Sequence, residues 1–353
     1  MKTYLITGGY GFIGSNFIRY LFDKYLDVQI INVDKLTYAG NLENLDDIHD
    51  ISNYMFVKGD ICDSDLLENI FKEYDIDYLI NFAAESHVDR SIENSDVFIK
   101  TNVLGTQTLL DIAKKHWGKE NSFIKGKKFI QISTDEVYGS LESHGYFTEN
   151  TPLNPRNPYS ASKASGDMLV RSYYHTYKMP VIITRCSNNY GPYQFPEKLI
   201  PLMVNNTLQG RNLPIYGDGK NIRDWLYVKE HCKAIDMIIE AGKIGQVYNI
   251  GGHNEKRNVD VVKTIIREVK NLLSDSDERS KHISEKLIEF VEDRKGHDRR
   301  YAIDTHKIEK EIGWKSEIKF EEGIRQTIKW YLDNIEWLES IISGEYKSVN
   351  KKI

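Results

Sequence analysis

The chain has 353 residues, of which 40% are hydrophobic and 28% charged, and its 47 basic and 52 acidic residues give a formal net charge of −5. This length and balance indicate a globular protein of two lobes with a sizeable core, and they exclude a general attraction to nucleic acid or to an anionic membrane. The sequence has no apolar run of the ~18 residues that span a membrane, and no signal peptide is expected. Its three cysteines are far apart, which argues against disulfides. The chain is therefore expected in the cytoplasm.

The first half of the chain alternates short apolar runs with helical patterns, which is typical of βαβ units and a parallel sheet. Predicted strands cover residues 4–7, 28–33, 54–58, 78–82, 128–133 and 181–184. Predicted helices lie between them at 15–25, 64–74 and 160–177. Continuous apolar runs in the strands fit a sheet that is buried on both faces. Residues 1–187 are therefore predicted to form a Rossmann-type, doubly wound α/β domain.

The alternating pattern breaks after Asn188, where prolines and glycines accumulate. Residues 188–345 are predicted to form a smaller, mixed α/β domain that binds the substrate. Residues 224–250 are expected to rejoin the first domain, with 247–250 as another strand of its sheet. Near the C-terminus, apolar residues from Ile324 to Leu338 recur at helical spacing and predict one core-facing helix.

A glycine-rich turn with Gly8, Gly11 and Gly14 follows the first predicted strand and opens a helix. The absence of Cβ atoms lets backbone N–H groups approach a pyrophosphate at the positive end of that helix, although a tight turn without a ligand is the alternative. Asp34 closes the second strand, where a carboxylate accepts hydrogen bonds from an adenosine ribose and repels a 2′-phosphate. Asp60 is placed to face the adenine or to cap a helix. The sequence therefore predicts a dinucleotide site in the first domain, with NAD favoured over NADP.

Tyr159 and Lys163 stand four residues apart at the start of a predicted helix, so their side chains share one face. A nearby cation lowers the pKa of a phenol, ordinarily about 10, and favours a phenolate that can take the proton of an alcohol. An exposed pair on a helix surface is the alternative. Beside a dinucleotide site, the pair indicates oxidation of an alcohol.

These two motifs together resemble the extended short-chain dehydrogenase/reductase superfamily, whose members act largely on nucleotide sugars. Three longer strings, at residues 83–91, 133–139 and 157–163, narrow the resemblance to the nucleotide-sugar 4,6-dehydratases, and it runs from Met1 to about Trp330. It implies an NAD-dependent hydro-lyase that binds its cofactor tightly and regenerates it in each turnover. It also implies a dTDP-hexose as the substrate and a role in deoxysugar and polysaccharide synthesis.

Asp135 and Glu136 directly follow the fifth predicted strand, at the carboxyl edge of the sheet where ligands bind. Loss of water across C5 and C6 of a sugar requires a base for the C5 proton and an acid for the C6 hydroxyl. Two carboxyls can divide these roles if their surroundings separate their pKa values, although two solvated loop acids are the alternative. The resemblance assigns Asp135 as the acid and Glu136 as the base.

Other enzymes of the same fold remain alternatives, because the residues do not distinguish thymine from uracil. They are a UDP-glucose 4,6-dehydratase and a UDP-hexose 4-epimerase, of which the acid pair disfavours the second. An alternative from another class is an NAD-sensing regulatory protein, which would not need the catalytic set Thr134, Asp135, Glu136, Tyr159 and Lys163.

The resemblance also implies further site residues. Thr134 would bond the C4 oxygen, and Lys163 would also hold the nicotinamide ribose. The cofactor site is extended to Phe12, Ile13, Lys35, Leu36, Thr37, Ile61, Phe82, Ala83, Ala84, Ser86, Thr101, Tyr159 and Asn189. The substrate residues are Ser86, Thr134, Asn188, Lys198, Leu199, Pro214, Ile215, Tyr216, Arg223, Asn258, Asp293, Arg294 and His297. Among these, Arg223 and Arg294 have the strongest physical case, because a planar guanidinium matches a diphosphate.

Three smaller expectations complete the prediction. The ten histidines show no metal-ligand spacing, so no metal is expected. Lys295 stands where the family usually has proline, which is expected to free that loop. Family members pair through two long helices, here near residues 96–116 and 160–177, so a homodimer is expected.

Overall fold

The structure, a computed structural model, describes residues 1–274 and 276–350, so that Asp275 of the predicted second domain lies outside the described residues. The strands are β1 (Lys2–Thr7), β2 (Val28–Asp34), β3 (Tyr54–Lys58), β4 (Tyr78–Asn81), β5 (Gly118–Lys119), β6 (Ser122–Phe123), β7 (Lys128–Thr134), β8 (Val181–Cys186), β9 (Asn188–Tyr190), β10 (Leu213–Tyr216), β11 (Ile222–Tyr227), β12 (Val247–Ile250), β13 (Glu255–Arg257) and β14 (Ile288–Val291).

The α-helices are α1 (Phe12–Lys24), α2 (Ser64–Glu73), α3 (Val88–Glu93), α4 (Asp96–Ile99), α5 (Thr106–Trp117), α6 (Pro158–Tyr177), α7 (Leu199–Leu208), α8 (Val228–Ala241), α9 (Asn258–Leu272), α10 (His306–Ile312), α11 (Phe320–Asp333), α12 (Ile335–Ser343) and α13 (Tyr346–Asn350). A π-helical turn at Lys100–Gly105 joins α4 to α5, and a 3₁₀ turn at Asp135–Tyr138 follows β7. Within residues 1–274 and 276–350, none of the helices combines the length and the hydropathy that a membrane span requires.

The central element is a parallel sheet with the strand order β12-β8-β7-β4-β1-β2-β3. Its core strands are almost wholly buried, because helices pack on both faces. The strand order reverses between β1 and β4, which places a topological switch point at their carboxyl ends. This arrangement confirms the predicted Rossmann-type α/β fold.

A second hydrophobic core lies beside the sheet and is built from α7, α9, α11 and α12 with the short strands β10 and β11. The chain returns to the main sheet between these elements, since β12 pairs with β8 and the apolar face of α8 packs in the sheet core. Ile308 of α10 and Trp314 also pack in that sheet core. Residues of the second half of the chain therefore contribute to both cores.

The predicted single helix from Ile324 to Leu338 is wrong in one respect. Asn334, with φ −124° and ψ 44°, leaves the helical region and divides the segment into α11 and α12. The apolar stripe continues across this break into the same core, so periodicity alone did not reveal it.

Candidate active site

A cleft at the switch point runs along the carboxyl ends of the strands β1, β2, β3 and β4. The predicted cofactor residues that line it are Gly8, Gly11, Asp34, Lys35, Thr37, Asp60, Ile61, Phe82, Ala83, Ala84 and Thr101. Phe12, Ile13 and Gly14 form the first turn of α1, and Leu36 lies in the loop after β2. Ser86 lines a neighbouring cavity instead, while Asn189 lies on β9 and bonds His231 through its side chain.

The glycine-rich turn leaves the start of α1 open toward this cleft. Gly11 is the N-cap residue, and no side chain caps the first N–H groups of the helix. Gly8 has a φ of +73°, and a Cβ on it would lie 2.7 Å from the backbone nitrogen of Ala83. The uncapped N–H groups and this close backbone packing fit the pyrophosphate of a dinucleotide.

Gly14→Ala is expected to remove the dinucleotide from the purified protein. A Cβ at Gly14 would lie 2.3 Å from the carbonyl oxygen of Gly8, so that the turn must shift away from the geometry that admits a pyrophosphate. The measurement is the dinucleotide content per chain after denaturation, with thermal unfolding in parallel. A variant that retains full dinucleotide content would contradict this role of the turn.

Two carboxylates mark the adenosine end of the cleft. Asp34 accepts hydrogen bonds from the backbone nitrogens of Tyr10 and Leu36, at 2.9 and 2.8 Å, and burial raises its pKa. Asp60 bonds Lys35 through Nζ at 2.8 Å. Asp60 does not cap the following helix, as the alternative prediction held, because Asp63 is the N-cap of α2.

A second cavity, of about 360 Å³, adjoins the cleft and lies against the second core. Its volume is in the range of small-molecule sites, roughly 300–1,000 Å³. The predicted substrate residues that line it are Ser86, Asn188, Lys198, Leu199, Pro214, Ile215, Tyr216, Arg223, Asn258, Arg294 and His297. The side-chain oxygens of Asn188 and Asn258 are buried and have no hydrogen-bond partner among the described residues, so a polar ligand could satisfy both.

Three cations line this cavity. Arg294 pairs with Asp89 of α3 across it, with Nη2 to Oδ2 at 2.8 Å, and lies over the ring of Tyr216. Arg223 is buried and donates to the backbone oxygens of Ile222 and Asp298. Lys198 donates to the backbone oxygen of Ser86 at 3.0 Å, which joins the two lobes. The site therefore suits a ligand that carries negative charge.

Two other predicted residues lie outside the cavity wall. Asp293 is exposed and contacts two residues that line the cavity, since it bonds Nδ1 of His297 at 2.6 Å and accepts from the backbone nitrogen of Arg294 at 2.8 Å. Thr134 is buried at the end of β7, where its hydroxyl caps the 3₁₀ turn by accepting from the backbone nitrogen of Glu136. Lys295 is exposed, in a turn beside Gly296.

The acid pair lies beside the cavity, in the 3₁₀ turn at the carboxyl end of β7. Glu136 lines the cavity, and Asp135 is buried beneath it with Oδ2 unpaired among the described residues. Burial and the charge of Glu136 raise the pKa of Asp135 well above its usual range. The pKa of Glu136 is raised too, by burial, but Arg223 and Lys198 act in the opposite direction. Asp135 is thus suited to hold a proton and Glu136 to accept one.

Tyr159 and Lys163 are both buried at the start of α6, which Asn157 caps through a reciprocal capping box with Ser160. The expectation that Lys163 lowers the pKa of the phenol is not met by the chain's own groups. Burial and the charge of Glu136 raise the pKa of Tyr159 well above 10, and the hydroxyl of Thr134 opposes them only in part. Lys163 instead donates to the backbone oxygen of Ile132 at 2.7 Å.

The cavity also contains residues that the sequence analysis missed. They are His87, Val88, Asp89, Asn157, Glu197, Leu202, Met203, Trp225, Val291, Asp298 and Tyr301. Asn157 could have been found from its place before Pro158 and Tyr159, and Glu197 from its place beside Lys198. No local pattern marks Tyr301 or Asp298.

The sequence profile of the family described as GDP-mannose 4,6 dehydratase matches residues 5–327. A dTDP-glucose 4,6-dehydratase of Salmonella typhimurium is 51% identical over 358 residues, which cover 98% of this chain and 96% of the relative.

Solved structures are similar over nearly the whole chain. The dTDP-glucose 4,6-dehydratase of Bacillus anthracis in complex with NAD has a TM-score of 0.86 and 51% identity, covering 97% of this chain and 100% of that one. The dTDP-glucose 4,6-dehydratase of Streptomyces venezuelae with NAD and TYD bound also has a TM-score of 0.86, with 43% identity over 96% of this chain and 99% of that one.

Proposed function

The chain belongs to the dTDP-glucose 4,6-dehydratase family, and from this premise we propose that it converts dTDP-glucose to dTDP-4-keto-6-deoxyglucose and water, with NAD as a cofactor that it keeps. The observation that carries the proposal is the Asp135–Glu136 pair, of which Glu136 lines the second cavity and whose charges act on Tyr159. A 4-epimerase or a plain dehydrogenase has no use for two buried carboxyls at this point. A sensor of NAD would not need them either.

The first step takes place at C4 of the sugar. NAD, when bound along the switch-point cleft, supplies the acceptor and later the donor of a hydride, so that the reaction has no net redox change. Tyr159 would accept the C4 hydroxyl proton, and Thr134 would bond the C4 oxygen. The chain's own groups raise the pKa of Tyr159, so its phenolate would be favoured by a further positive charge nearby, which an oxidised nicotinamide ring would supply.

The second step is the elimination of water between C5 and C6. The C4 ketone acidifies the C5 proton, which Glu136 would remove and would return to C5 once the hydride has been returned to C6. Asp135 would protonate the departing C6 oxygen, and its raised pKa favours the protonated form that this role needs. Burial raises the pKa of both carboxyls, but Asp135 is raised well above its usual range by burial and the charge of Glu136, whereas Arg223 and Lys198 oppose the rise at Glu136, which supports this division of roles.

The sugar nucleotide would lie in the cavity between the two cores. Arg223 and Arg294 would bind the diphosphate, and the unpaired oxygens of Asn188 and Asn258 would accept hydrogen bonds from the hexose and the nucleotide. Tyr216, near His297 with ring centroids 6.1 Å apart, would pack against the base. We propose a corresponding division of labour, with residues 1–187 for the cofactor and residues 188–345 chiefly for the substrate.

One experiment separates the candidate functions. The purified protein is offered dTDP-glucose and then UDP-glucose, while the 4-keto product and free NADH are followed. We expect keto sugar from dTDP-glucose without net NADH. Turnover of UDP-glucose to the same extent would favour the UDP-sugar dehydratase, a galactose isomer would favour the epimerase, and no product from either sugar would favour the sensor.

We further propose that the chain forms a homodimer through two neighbouring segments, residues 96–116, which hold α4, the π-helical turn and α5, and residues 160–177 of α6. This dimer face exposes large apolar side chains, namely Val97, Ile99, Leu104, Met168 and Tyr177. Leu104 is 48% and Met168 58% exposed. Grouped apolar side chains at this exposure are typical of a protein interface, and a second copy would cover them symmetrically.

The double variant Leu104→Lys/Met168→Lys is expected to convert the dimer to a monomer. Burial of one such side chain contributes about 1.5–3 kcal/mol to the free energy of dimer formation. In a twofold interface each substitution occurs in both copies, so this loss is doubled. The measurement is the molar mass by size-exclusion chromatography with light scattering. Ile342→Lys, at an apolar position 43% exposed on α12, is the control and should leave the mass unchanged. A double variant of unchanged mass would place the interface elsewhere.

We propose a cytoplasmic location because the cysteines form no disulfide. Cys62, Cys186 and Cys232 are all free, which suits the reducing conditions of the cytoplasm.

A further inference from the structure

We propose that Arg185 is a positioning residue that holds the two halves of the catalytic set, the Tyr159–Lys163 helix and the Asp135–Glu136 turn, in a fixed relation. The inference rests on the proposed function, because it concerns the separate steps of that reaction. Arg185 lies on β8, opposite Ser133 of β7 and one residue before the pairing of Cys186 with Thr134.

Arg185 is a fully buried cation with one contact toward each half. Its Nε donates to Oδ2 of Asp167 at 2.8 Å, and its Nη1 donates to the hydroxyl of Tyr138 at 2.9 Å. Arg185 is 1% exposed, and Asp167 is wholly buried. A planar guanidinium with bonds in two directions fixes both partners at once, which a lysine could not do in the same way.

The first contact reaches the tyrosine–lysine helix. Asp167 lies on α6 four residues after Lys163, so the two side chains share one face of a continuous helix. The ion pair with Arg185 therefore anchors α6 against β8 one turn from Lys163. The charge of Asp167 also raises the pKa of Lys163, against the burial that lowers it.

The second contact reaches the acid pair. Tyr138 ends the 3₁₀ turn that begins with Asp135 and Glu136, and its ring stacks on Phe147. Its hydroxyl accepts from Arg185 and donates to Oδ1 of Asn249 on β12 at 2.8 Å. The turn that carries both carboxyls is thus tied at its far end to the same cation that holds α6.

Stability alone does not account for this arrangement. A buried ion pair is often no more stabilising than apolar side chains of the same volume. Nη2 of Arg185 and Oδ1 of Asp167 moreover have no partner among the described residues, so the pair is incompletely satisfied. What the two residues bonded by Arg185 have in common is that each lies on an element that carries proposed catalytic side chains.

Loss of each contact is expected to slow a different step of the reaction. Tyr138→Phe removes only the hydroxyl between Arg185 and the acid turn, so elimination should slow by about tenfold while C4 oxidation is unchanged, the scale expected for a small misplacement of reacting groups. Reduced cofactor should then accumulate on the enzyme during turnover. Asp167→Asn acts on α6, so oxidation should slow instead, with no such accumulation.

The test follows 4-keto product, bound reduced cofactor by its absorbance, and thermal unfolding in wild type and variants. Tyr248→Phe is the matched control, since it removes a buried hydroxyl bonded to Glu311 away from the site, and it should behave as wild type. If Asp167→Asn does not fold, Tyr138→Phe decides alone, because it keeps the ion pair. Equal slowing of both steps, or normal turnover of Tyr138→Phe, would overturn the inference. Failure of the wild-type protein to form keto sugar would instead overturn the proposed function.

Discussion

Glu136→Gln is expected to lower the formation of 4-keto-6-deoxy sugar by roughly 10²–10⁴-fold, the contribution of a general base. The amide cannot take the C5 proton, whereas Tyr159 and Thr134 remain in place for the step at C4. The sugar should therefore stop at the 4-ketone, and the cofactor should remain reduced on the enzyme. Rapid mixing with dTDP-glucose, followed at the absorbance of reduced nicotinamide and by product analysis, measures both effects.

The control for this substitution is Glu142→Gln, the same change at an exposed position after the 3₁₀ turn, which should turn over as wild type does. Glu136 lines the cavity and Asp135 is more deeply buried, so Glu136 is the carboxylate expected to meet the C5 proton. Normal turnover of Glu136→Gln would remove this residue from its role as the base.

Tyr159→Phe is expected to lower turnover by a similar factor, roughly 10²–10⁴-fold, but to stop the reaction one step earlier. Phenylalanine has nearly the same shape and keeps the packing against Phe98. Without the phenolate no group takes the C4 hydroxyl proton, so neither the ketone nor reduced cofactor should form. The contrast with Glu136→Gln, which accumulates reduced cofactor, is the readout.

The same rapid-mixing experiment measures this variant, with total dinucleotide content as the check that the cofactor is still bound. Tyr248→Phe serves again as the control for loss of a buried phenol hydroxyl. Accumulation of reduced cofactor in Tyr159→Phe would assign the C4 proton to another group, and Lys163, buried four residues away, would then be the next residue to replace.

Contacts between distant chain segments join the cofactor cleft to the second core, and few sequence motifs would suggest them. Lys198 donates to the backbone oxygen of Ser86, and Tyr38 donates to Glu197 at 2.9 Å from the loop that follows β2. Each contact joins a segment beside the cofactor cleft to a segment of the second core. The catalytic groups thus lie at a junction whose geometry depends on both lobes.

Local patterns were sufficient wherever one stretch of chain carries the chemistry. The turn from Gly8 to Gly14, the Tyr159–Lys163 spacing and the acids after β7 are each contiguous, so strand and helix periodicity alone places their side chains. The alternation of apolar runs likewise predicted the order of a doubly wound sheet, because its strands are buried on both faces. The sequence by itself therefore determined the fold class and the dinucleotide-binding turn, and it predicted which groups take part in the reaction.

The lining of the second cavity and the pKa directions of the buried groups became known only from the tertiary structure, because they depend on burial and on residues far apart in the sequence. Tyr301, Asp298 and His87 reach one cavity because two separately packed cores meet there, which no spacing encodes. The pKa directions of Asp135 and Tyr159 follow from desolvation and from neighbouring charges, which exist only once the chain is folded. The contact of Arg185 with both elements arises in the same way, since β7, β8 and α6 must pack together before one buried cation can touch both the helix and the turn.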